Sequence, residues 1–99
     1  MQTATNRLRK NLFPLGMVVA TPGALRALEQ SQESPAKFIG HHVSGDWGEL
    51  DSADCAENER SLKCGDRLMS SYLTSHGTKL WIITEANRSS TCVLLPEEY

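Results

Sequence analysis

The sequence predicts a single α+β domain: a short N-terminal strand, two to three helices packed on one face of a sheet, and then a three-stranded antiparallel meander. Three observations predict it. A β-prone run stands at 17–20, two helix starts follow at Thr21-Pro22 and Ser34-Pro35, and the last third of the chain alternates strand-forming runs with turn residues. With 99 residues, 39% of them apolar and 22% charged, the chain has the composition of a globular domain with one core.

Two helices are predicted from their first residues. Thr21 and Ser34 each carry a hydroxyl that can accept a free N–H of the first helical turn, and each is followed by a proline whose φ already suits a helix. In the second helix Ile39, His42 and Val43 recur at spacings of three and four, so they share one face.

A third helix is predicted between Asp51 or Ser52, either of which can cap its first turn, and Gly65, which can take the left-handed conformation at its end. Most of its surface is polar, so it is expected to be peripheral. The preceding segment, residues 44–50, holds two glycines around Trp47 and is predicted to be a structured loop.

Three strands are predicted in the last third of the chain, where β-branched, aromatic and aliphatic residues are dense. They cover residues 68–75, 80–85 and 91–95. His76-Gly77 separates the first two strands and is interpreted as a two-residue turn, which places Tyr72 opposite Trp81.

The segment 80–83 reads Leu-Trp-Ile-Ile and is apolar on both faces of the pleat. We therefore expect it at the centre of the sheet, with helices over one face and a further cover over the other. A partner subunit is one candidate for that cover. This makes Tyr72, Trp81 and Ile83 candidate interface residues, and a homodimer is one assembly that would supply the cover.

Charge is distributed unevenly along the chain. Arg7, Arg9 and Lys10 are the only charged residues among the first fifteen, whereas the remaining 84 residues carry a net charge of −5. Residues 1–14 are therefore predicted to be a flexible basic tail ahead of a single domain at 15–99. Nucleic acid is not an expected partner, because the acidic body lacks the basic surface that binding to phosphates requires.

The cysteines predict a reducing, cytoplasmic location. Cys55, Cys64 and Cys92 form an odd set without the spacing of a disulfide framework. The alternative is secretion, because a basic segment precedes the apolar stretch 12–20 as in a signal peptide, although Pro14 interrupts that stretch. No apolar run reaches the roughly 18 residues that a membrane-spanning helix needs, so no membrane association is expected.

The densest group of chemically able side chains lies at 41–51 and includes His41, His42, Asp46 and Trp47. Neighbouring histidines on a helix point about 100° apart, so at most one can face a given site. For His42 the main expectation is a packed or capping side chain, and for Trp47 an anchor at the edge of the core. Recognition of a ligand or partner is the alternative for His41, His42, Asp46 and Trp47, and acid-base or metal chemistry is a further alternative for His42.

Glu85 and Arg88 flank the second hairpin turn, where they are expected to form a surface ion pair or to bind a charged partner. Metal and cofactor sites are not expected. Cys55 and Cys64 lie on one predicted helix, about 13 Å from each other, which is too far to share a metal ion. The chain also lacks phosphate-binding loops, nucleophile elbows and zinc-protease motifs.

These observations favour a non-enzymatic interaction module whose apolar strand or Trp47 loop meets another protein or a second copy of the chain. The alternative is a small hydrolase, since the order of strand, helices and three antiparallel strands is similar to that of RelE-type ribonuclease toxins. In that hypothesis His41 or His42 acts as the base and Arg88 stabilises phosphate charge. The acidic body disfavours it, because an RNA-cleaving surface should attract phosphates.

Two segments carry a resemblance to a protein family: H-H-V-S-G-D-W-G-E-L at 41–50 and W-I-I-T-E-A-N-R-S-S-T-C-V-L-L-P-E-E-Y at 81–99. From about Leu15 to Tyr99 the chain resembles a family of small uncharacterised bacterial proteins associated with plasmids and other mobile elements. The resemblance implies a bacterial, cytoplasmic, mobile-element setting and no particular activity. Where this chain has Asn87 the family form has an Asp, so a role that needs a carboxylate in that turn does not carry over.

Overall fold

The computed structural model describes residues 10–99, which form three α-helices and a four-stranded mixed sheet, so the α+β class is confirmed. The elements in chain order are β1 (Met17–Ala20), α1 (Pro22–Ser31), α2 (Pro35–Val43), α3 (Ser52–Cys64), β2 (Leu68–Leu73), β3 (Lys79–Thr84), β4 (Ser90–Leu94) and a short 3-10 helix (Pro96–Glu98).

The strands of the sheet follow the order β1-β4-β3-β2. β2, β3 and β4 pair antiparallel in chain order, whereas β1 adds to β4 in parallel, with Val19 beside Cys92. The expected three-stranded meander is therefore one part of a larger sheet. A parallel pair needs a long crossover connection, and here the helices and the first two strands of the meander supply it.

The helices begin where the capping residues predict. The side chains of Thr21, Ser34 and Asp51 each accept a backbone N–H of the first turn, at 3.1, 3.1 and 2.8 Å. α3 is followed by Gly65, whose φ of 80° is left-handed. No helix within residues 10–99 combines the length and the apolar composition that a bilayer crossing requires.

α1 and α2 pack on one face of the sheet. Ala24 and Leu28 of α1 and Phe38 of α2 join Leu80 and Ile82 of β3 in one buried cluster. The spacing of Ala24 and Leu28 by four residues places both on the side of α1 that contacts the sheet. This part of the fold is a two-layer arrangement of helices on strands.

α3 instead lies along the outer edge of β2. The side-chain amide of Asn58 donates to the Met69 carbonyl at 2.7 Å, and its oxygen accepts the Met69 N–H at 3.2 Å. The expectation that all helices cover one face is therefore wrong for α3. The polar composition of α3 explains the difference, because a helix with little apolar surface gains more from an edge contact than from covering a sheet face.

The first hairpin has a three-residue loop at 75–77 where the sequence suggested a two-residue turn. Gly77 takes a φ of 83°, and the Thr74 N–H donates to the Thr78 carbonyl at 2.9 Å. Three-residue hairpin loops characteristically end in a left-handed residue, which glycine adopts without steric cost. The glycine was therefore identified correctly, but the loop around it is longer by one residue.

The extra loop residue changes the pairing of β2 with β3. Tyr72 lies opposite Leu80, and Trp81 lies opposite Ser71, so the predicted pair of Tyr72 with Trp81 is wrong. Because side chains alternate between the two faces of a strand, a shift of one residue sends the two rings to opposite faces. Tyr72 packs beneath the helices, and Trp81 points to the other side of the sheet.

Part of the segment 1–14, which the sequence predicts to be a flexible tail, packs on the body. Phe13 is 7% exposed and packs into a second buried cluster, and the Leu12 N–H donates to a carbonyl of α2 at 2.9 Å. A buried aromatic ring thus holds this segment to the body. Lys10 is exposed, and residues 1–9, Arg7 and Arg9 among them, lie outside the described residues.

The two edges of the sheet differ. At the β2 edge, beside the Asn58 contact, the Ser71 N–H donates to the Trp47 carbonyl at 3.2 Å and the Ser71 carbonyl accepts the Glu49 N–H at 2.5 Å. At the opposite edge, none of the residues 10–99 pairs with the outer side of β1. The described part of the chain therefore covers one edge of the sheet and leaves the other open.

Gly48 permits the close approach of the 47–49 segment to β2. It has a φ of 77°, and a Cβ at this position would meet the Ser71 carbonyl oxygen and the Tyr72 ring. We expect Gly48→Ala to lower the free energy of unfolding by about 3 kcal/mol, because left-handed strain and overpacking act together. Urea denaturation followed by circular dichroism measures the change.

Gly77→Ala is the matched control. Gly77 has a φ of 83°, but a Cβ added there meets nothing within 4 Å. This variant should lose only the backbone contribution, about 1 kcal/mol. Equal losses in the two variants would contradict the tight contact between the 47–49 segment and β2.

Candidate functional site

His42 lies at the centre of a buried chain of hydrogen bonds. Its side chain is fully buried, with Nδ1 2.5 Å from Ser70 Oγ and Nε2 2.9 Å from Thr84 Oγ1. Thr84 Oγ1 lies 2.7 Å from Thr91 Oγ1, which donates to the Leu15 carbonyl at 2.8 Å. We call this set the polar chain: Ser70, His42, Thr84, Thr91 and the Leu15 carbonyl.

The direction of each hydrogen bond in the polar chain follows from its last member. The Leu15 carbonyl can only accept, so the hydroxyl proton of Thr91 is used there and Thr84 must donate to Thr91. The hydroxyl proton of Thr84 is then also used, so Thr84 accepts from Nε2–H of His42. A neutral imidazole that is protonated on Nε2 accepts a hydrogen bond at Nδ1, and the Ser70 hydroxyl donates that bond. Every polar atom of the chain therefore has a partner.

The surroundings of His42 keep its imidazole neutral. Burial is the main cause that lowers the pKa of His42 from 6.5 to about 4, and the positive charge of Arg88 adds to it. The rings of Phe13 and Trp47 lie 5.2 and 5.8 Å from the imidazole, both edge-on. With both nitrogens bonded inside the protein, His42 offers no free lone pair to a ligand. The expectation of a packed histidine is confirmed.

Arg88 is committed to backbone carbonyls. Its Nη1 donates to the carbonyls of Asp66 at 2.7 Å and Glu85 at 3.1 Å, and its Nη2 donates to the Ser61 carbonyl at 3.3 Å. Two of these acceptors lie at the C-terminal end of α3, where the carbonyls carry partial negative charge. The guanidinium thus binds the backbone carbonyl of Glu85, whereas the Glu85 side chain is exposed. Arg88 therefore makes hydrogen bonds to backbone carbonyls in place of the expected surface ion pair with the Glu85 carboxylate.

Trp47 anchors the loop between α2 and α3. Its side chain is 4% exposed, and its Nε1–H donates to Oε2 of Glu59 in α3 at 3.0 Å. The Tyr72 hydroxyl donates to the Asp46 carbonyl in the same loop at 2.6 Å. The expectation of a core-edge anchor is confirmed, and the indole ring is covered by the chain itself.

His41 and Asp46 remain at the surface. Nδ1 of His41 lies 3.1 Å from Oδ2 of Asp46, and the two side chains are 47% and 61% exposed. An open groove of about 700 Å³ is lined by His41, Lys10 and Lys37, among others. Lys37 pairs with Glu33 at 2.8 Å, which offsets part of the positive charge of the groove.

The apolar strand 80–83 is sheltered mostly within one copy of the chain. Ile83 and Tyr72 are 5% and 6% exposed. Trp81 is half-buried, and the ring of Tyr99 stands edge-on against it with centroids 5.8 Å apart. The argument that this strand requires cover from a partner is therefore wrong, because the C-terminal residues return over Trp81 and supply that cover.

The sequence analysis missed the hydroxyl partners of His42. The hydroxyl residues of the polar chain are Ser70 of β2, Thr84 of β3 and Thr91 of β4. Each lies on the face of its strand that points towards the helices, the same face as the buried apolar residues of that strand. A hydroxyl at a core position of an apolar strand is a signal, since it needs a buried partner. Nothing in the sequence identified His42 as that partner, because the residues are 28 to 49 positions away.

Cys55 and Cys92 lack the features of a reactive site. Burial raises the pKa of the Cys55 and Cys92 thiols, both of which are half-buried, so the thiolate that attacks or binds metal is disfavoured. Cys64 is exposed at the end of α3. Within residues 10–99 no group of three or more His, Cys, Asp and Glu side chains is placed to hold a metal ion.

The lowered pKa of His42 makes the stability of the fold depend on pH. The unfolded chain takes up a proton on His42 near pH 6.5, and the folded chain only near pH 4. The contribution of the neutral His42 to the free energy of unfolding is therefore complete above about pH 6.5 and is lost as the pH falls towards 4. We expect the free energy of unfolding to drop by about 2 kcal/mol between pH 7 and pH 5, measured by urea denaturation.

Two variants separate His42 from other titrating groups. His42→Gln should be less stable than the wild type at pH 7 and nearly independent of pH over this interval. His76→Gln replaces an exposed histidine in the first hairpin loop and should retain the wild-type pH dependence. A pH profile that survives in His42→Gln would show that another group causes it.

In comparisons with known proteins, no family model, no curated protein and no solved structure matches the chain. A proposal about its function therefore has to rest on the placement of its own residues. That placement commits His42, Trp47 and Arg88 to the fold and leaves the β1 edge and the His41 groove exposed.

Proposed function

We propose that this protein is a non-enzymatic interaction module that binds a strand of another polypeptide along the open edge of β1. The exposure of β1 carries the proposal: Met17, Val18 and Val19 are 69%, 45% and 42% exposed, although all three are apolar. An edge strand of this kind attracts further strands, since main-chain hydrogen bonds supply the affinity and apolar side chains add contact area.

The backbone of β1 is prepared for such an addition. The N–H groups of Met17 and Thr21 donate towards β4, at 3.0 Å each. Because the direction of the N–H and C=O groups alternates along a strand, Val18 and Ala20 direct theirs to the open side. A partner strand would satisfy these groups, which pair with no strand among residues 10–99.

The contrast with the β2 edge supports the proposal. There the Asn58 amide occupies the outward groups of Met69, and the 47–49 segment occupies those of Ser71. Proteins commonly protect sheet edges with such covers or with charged residues. β1 has neither a cover among residues 10–99 nor a charged side chain.

The setting inferred from the sequence completes the proposal. In this setting the protein is a bacterial accessory protein of a mobile element and meets its partner in the cytoplasm. The resemblance of segments 41–50 and 81–99 and the odd set of cysteines support this setting.

The hydrolase alternative keeps only the exposed His41 beside Asp46, because His42 is buried and neutral and Arg88 binds carbonyls. We expect induced expression of the chain to leave bacterial growth and total RNA unchanged. If the wild type arrests growth and the His41→Ala variant does not, this expectation is contradicted and the hydrolase alternative is favoured.

A pair of lysine substitutions tests the open edge. Val18 and Leu73 are apolar strand residues of nearly equal exposure, 45% and 46%, on opposite edge strands of the sheet. When the purified protein is the bait in a lysate of its host, Val18→Lys should lose the bound partner, because a charged edge resists strand addition. Leu73→Lys should retain that partner, identified by mass spectrometry. Equal capture by both variants would remove the open edge from the proposal.

A further inference from the structure

We propose that the strand bound at the open edge of β1 is β1 of a second copy of this chain, joined antiparallel about a twofold axis into one sheet that runs through both copies. This inference rests on the function proposed above and names the partner. The order of strands in the joined sheet is β2-β3-β4-β1 in one copy followed by β1-β4-β3-β2 in the other.

The distribution of charge favours a second copy as the occupant. Residues 11–25, which contain β1, form the longest stretch of the sequence without Asp, Glu, Lys or Arg. The part of the chain from residue 26 onwards carries a net charge of −5. A twofold interface at β1 places this uncharged strand against itself, so no charged side chain of the strand has to lose its hydration or face a like charge. β1 itself carries no acidic side chain that would attract a basic partner.

The backbone pattern of β1 fits this self-pairing. Val18 and Ala20 direct their N–H and C=O groups outwards, so a twofold axis beside Val19 places Val18 of each copy opposite Ala20 of the other. Both pairs then exchange two hydrogen bonds, and the two Val19 residues form the non-hydrogen-bonded pair between them. All outward groups of the strand are satisfied. The small Ala20 side chain lies opposite the branched Val18, which avoids crowding.

The same geometry limits the assembly to two copies. Within residues 10–99 each copy offers one open edge, that of β1, because Asn58 and the 47–49 segment occupy the edge at β2. An isologous contact through the single open edge uses it up and closes the assembly. β1 is only four residues long, so the interface is small and we expect a reversible dimer with a dissociation constant of about 1–100 µM.

Sedimentation velocity over about 5 to 500 µM protein tests the proposal. The wild type should shift from monomer to dimer as the concentration rises, without higher species. Val18→Lys should raise the dissociation constant at least about tenfold, since the two introduced ammonium groups lie close together across the axis. Leu73→Lys adds the same charge to the opposite edge and should dimerise as the wild type does.

A second variant tests the backbone bonds without introducing charge. Val18→Pro removes an N–H that points away from β4, so the fold should tolerate the substitution. The dimer loses two hydrogen bonds, one donated by Val18 of each copy. We expect a folded monomer, recognised by an unchanged circular dichroism spectrum. If Val18→Pro unfolds, Val18→Lys alone decides the result.

Disulfide trapping tests the register. In a chain carrying Cys55→Ser, Cys64→Ser and Cys92→Ala, Val19→Cys should form a covalent dimer on mild oxidation, because the Cα atoms of a non-hydrogen-bonded pair lie about 4.5 Å apart. Replacing Cys92 is necessary, since it lies beside Val19 within the same sheet. Leu73→Cys in the same background should remain monomeric.

The outcomes separate this inference from the function on which it rests. A wild type that stays monomeric at 500 µM overturns the second copy as the partner. The proposed strand addition is then tested by the capture experiment alone, in which Val18→Lys should lose the bound protein. A dimer that both lysine variants leave intact overturns self-pairing through β1. A dimer weakened equally by both lysine variants also overturns it, because the effect would not be specific to this edge.

Discussion

The fold depends on keeping one buried imidazole neutral and fully hydrogen-bonded. His42 has no contact with solvent, and an imidazole whose nitrogens lacked partners there would cost several kcal/mol. The polar chain removes that cost by joining α2 to β2, β3 and β4 through three hydroxyl groups. Because each hydroxyl has one proton, all bonds must run in one direction, and the arrangement has one solution. It therefore fixes how α2 sits on the sheet more tightly than apolar packing would.

The last acceptor of the polar chain explains the position of β1. Thr91 of β4 donates to the Leu15 carbonyl, which lies two residues before β1 begins. This bond and the burial of Phe13 bring the N-terminal segment to β4, and β1 then pairs with β4 in parallel. The constraint that satisfies the histidine thus also places an apolar strand at the rim of the sheet, with one side unpaired among the described residues.

Much of this architecture can be predicted from short-range chemistry. The caps at Thr21, Ser34 and Asp51 and the left-handed Gly65 are signalled by one or two residues each, and the helix bounds follow from them. The register of the first hairpin does not follow in this way, because His76-Gly77 fits both a two-residue and a three-residue loop, and only packing selects between them.

Long-range contacts account for the rest. The parallel pairing of β1, the position of α3 beside β2 and the hydroxyl partners of His42 each join residues far apart in the chain. The candidate site shows the same division. Local pattern was sufficient to expect a packed His42 and an anchoring Trp47, whereas the roles of Arg88 and of strand 80–83 depended on elements that return from elsewhere in the sequence.

The contacts that occupy the catalytic candidates also leave β1 as the surface on which the proposed binding rests. Burial of His42, capping of α3 by Arg88 and the return of Tyr99 over Trp81 use up the groups that chemistry or face-to-face docking would need. Three consecutive apolar side chains of β1, Met17, Val18 and Val19, remain accessible, and an apolar edge of this kind promotes uncontrolled association unless something limits it. Two properties of the chain impose that limit: β1 spans four residues before Pro22 begins α1, and the opposite edge is occupied. A short strand with a single open side can add one neighbouring strand but cannot build a fibre. An exposed apolar edge that would cause aggregation in a longer sheet, or in one with two open edges, is therefore compatible with a defined contact here.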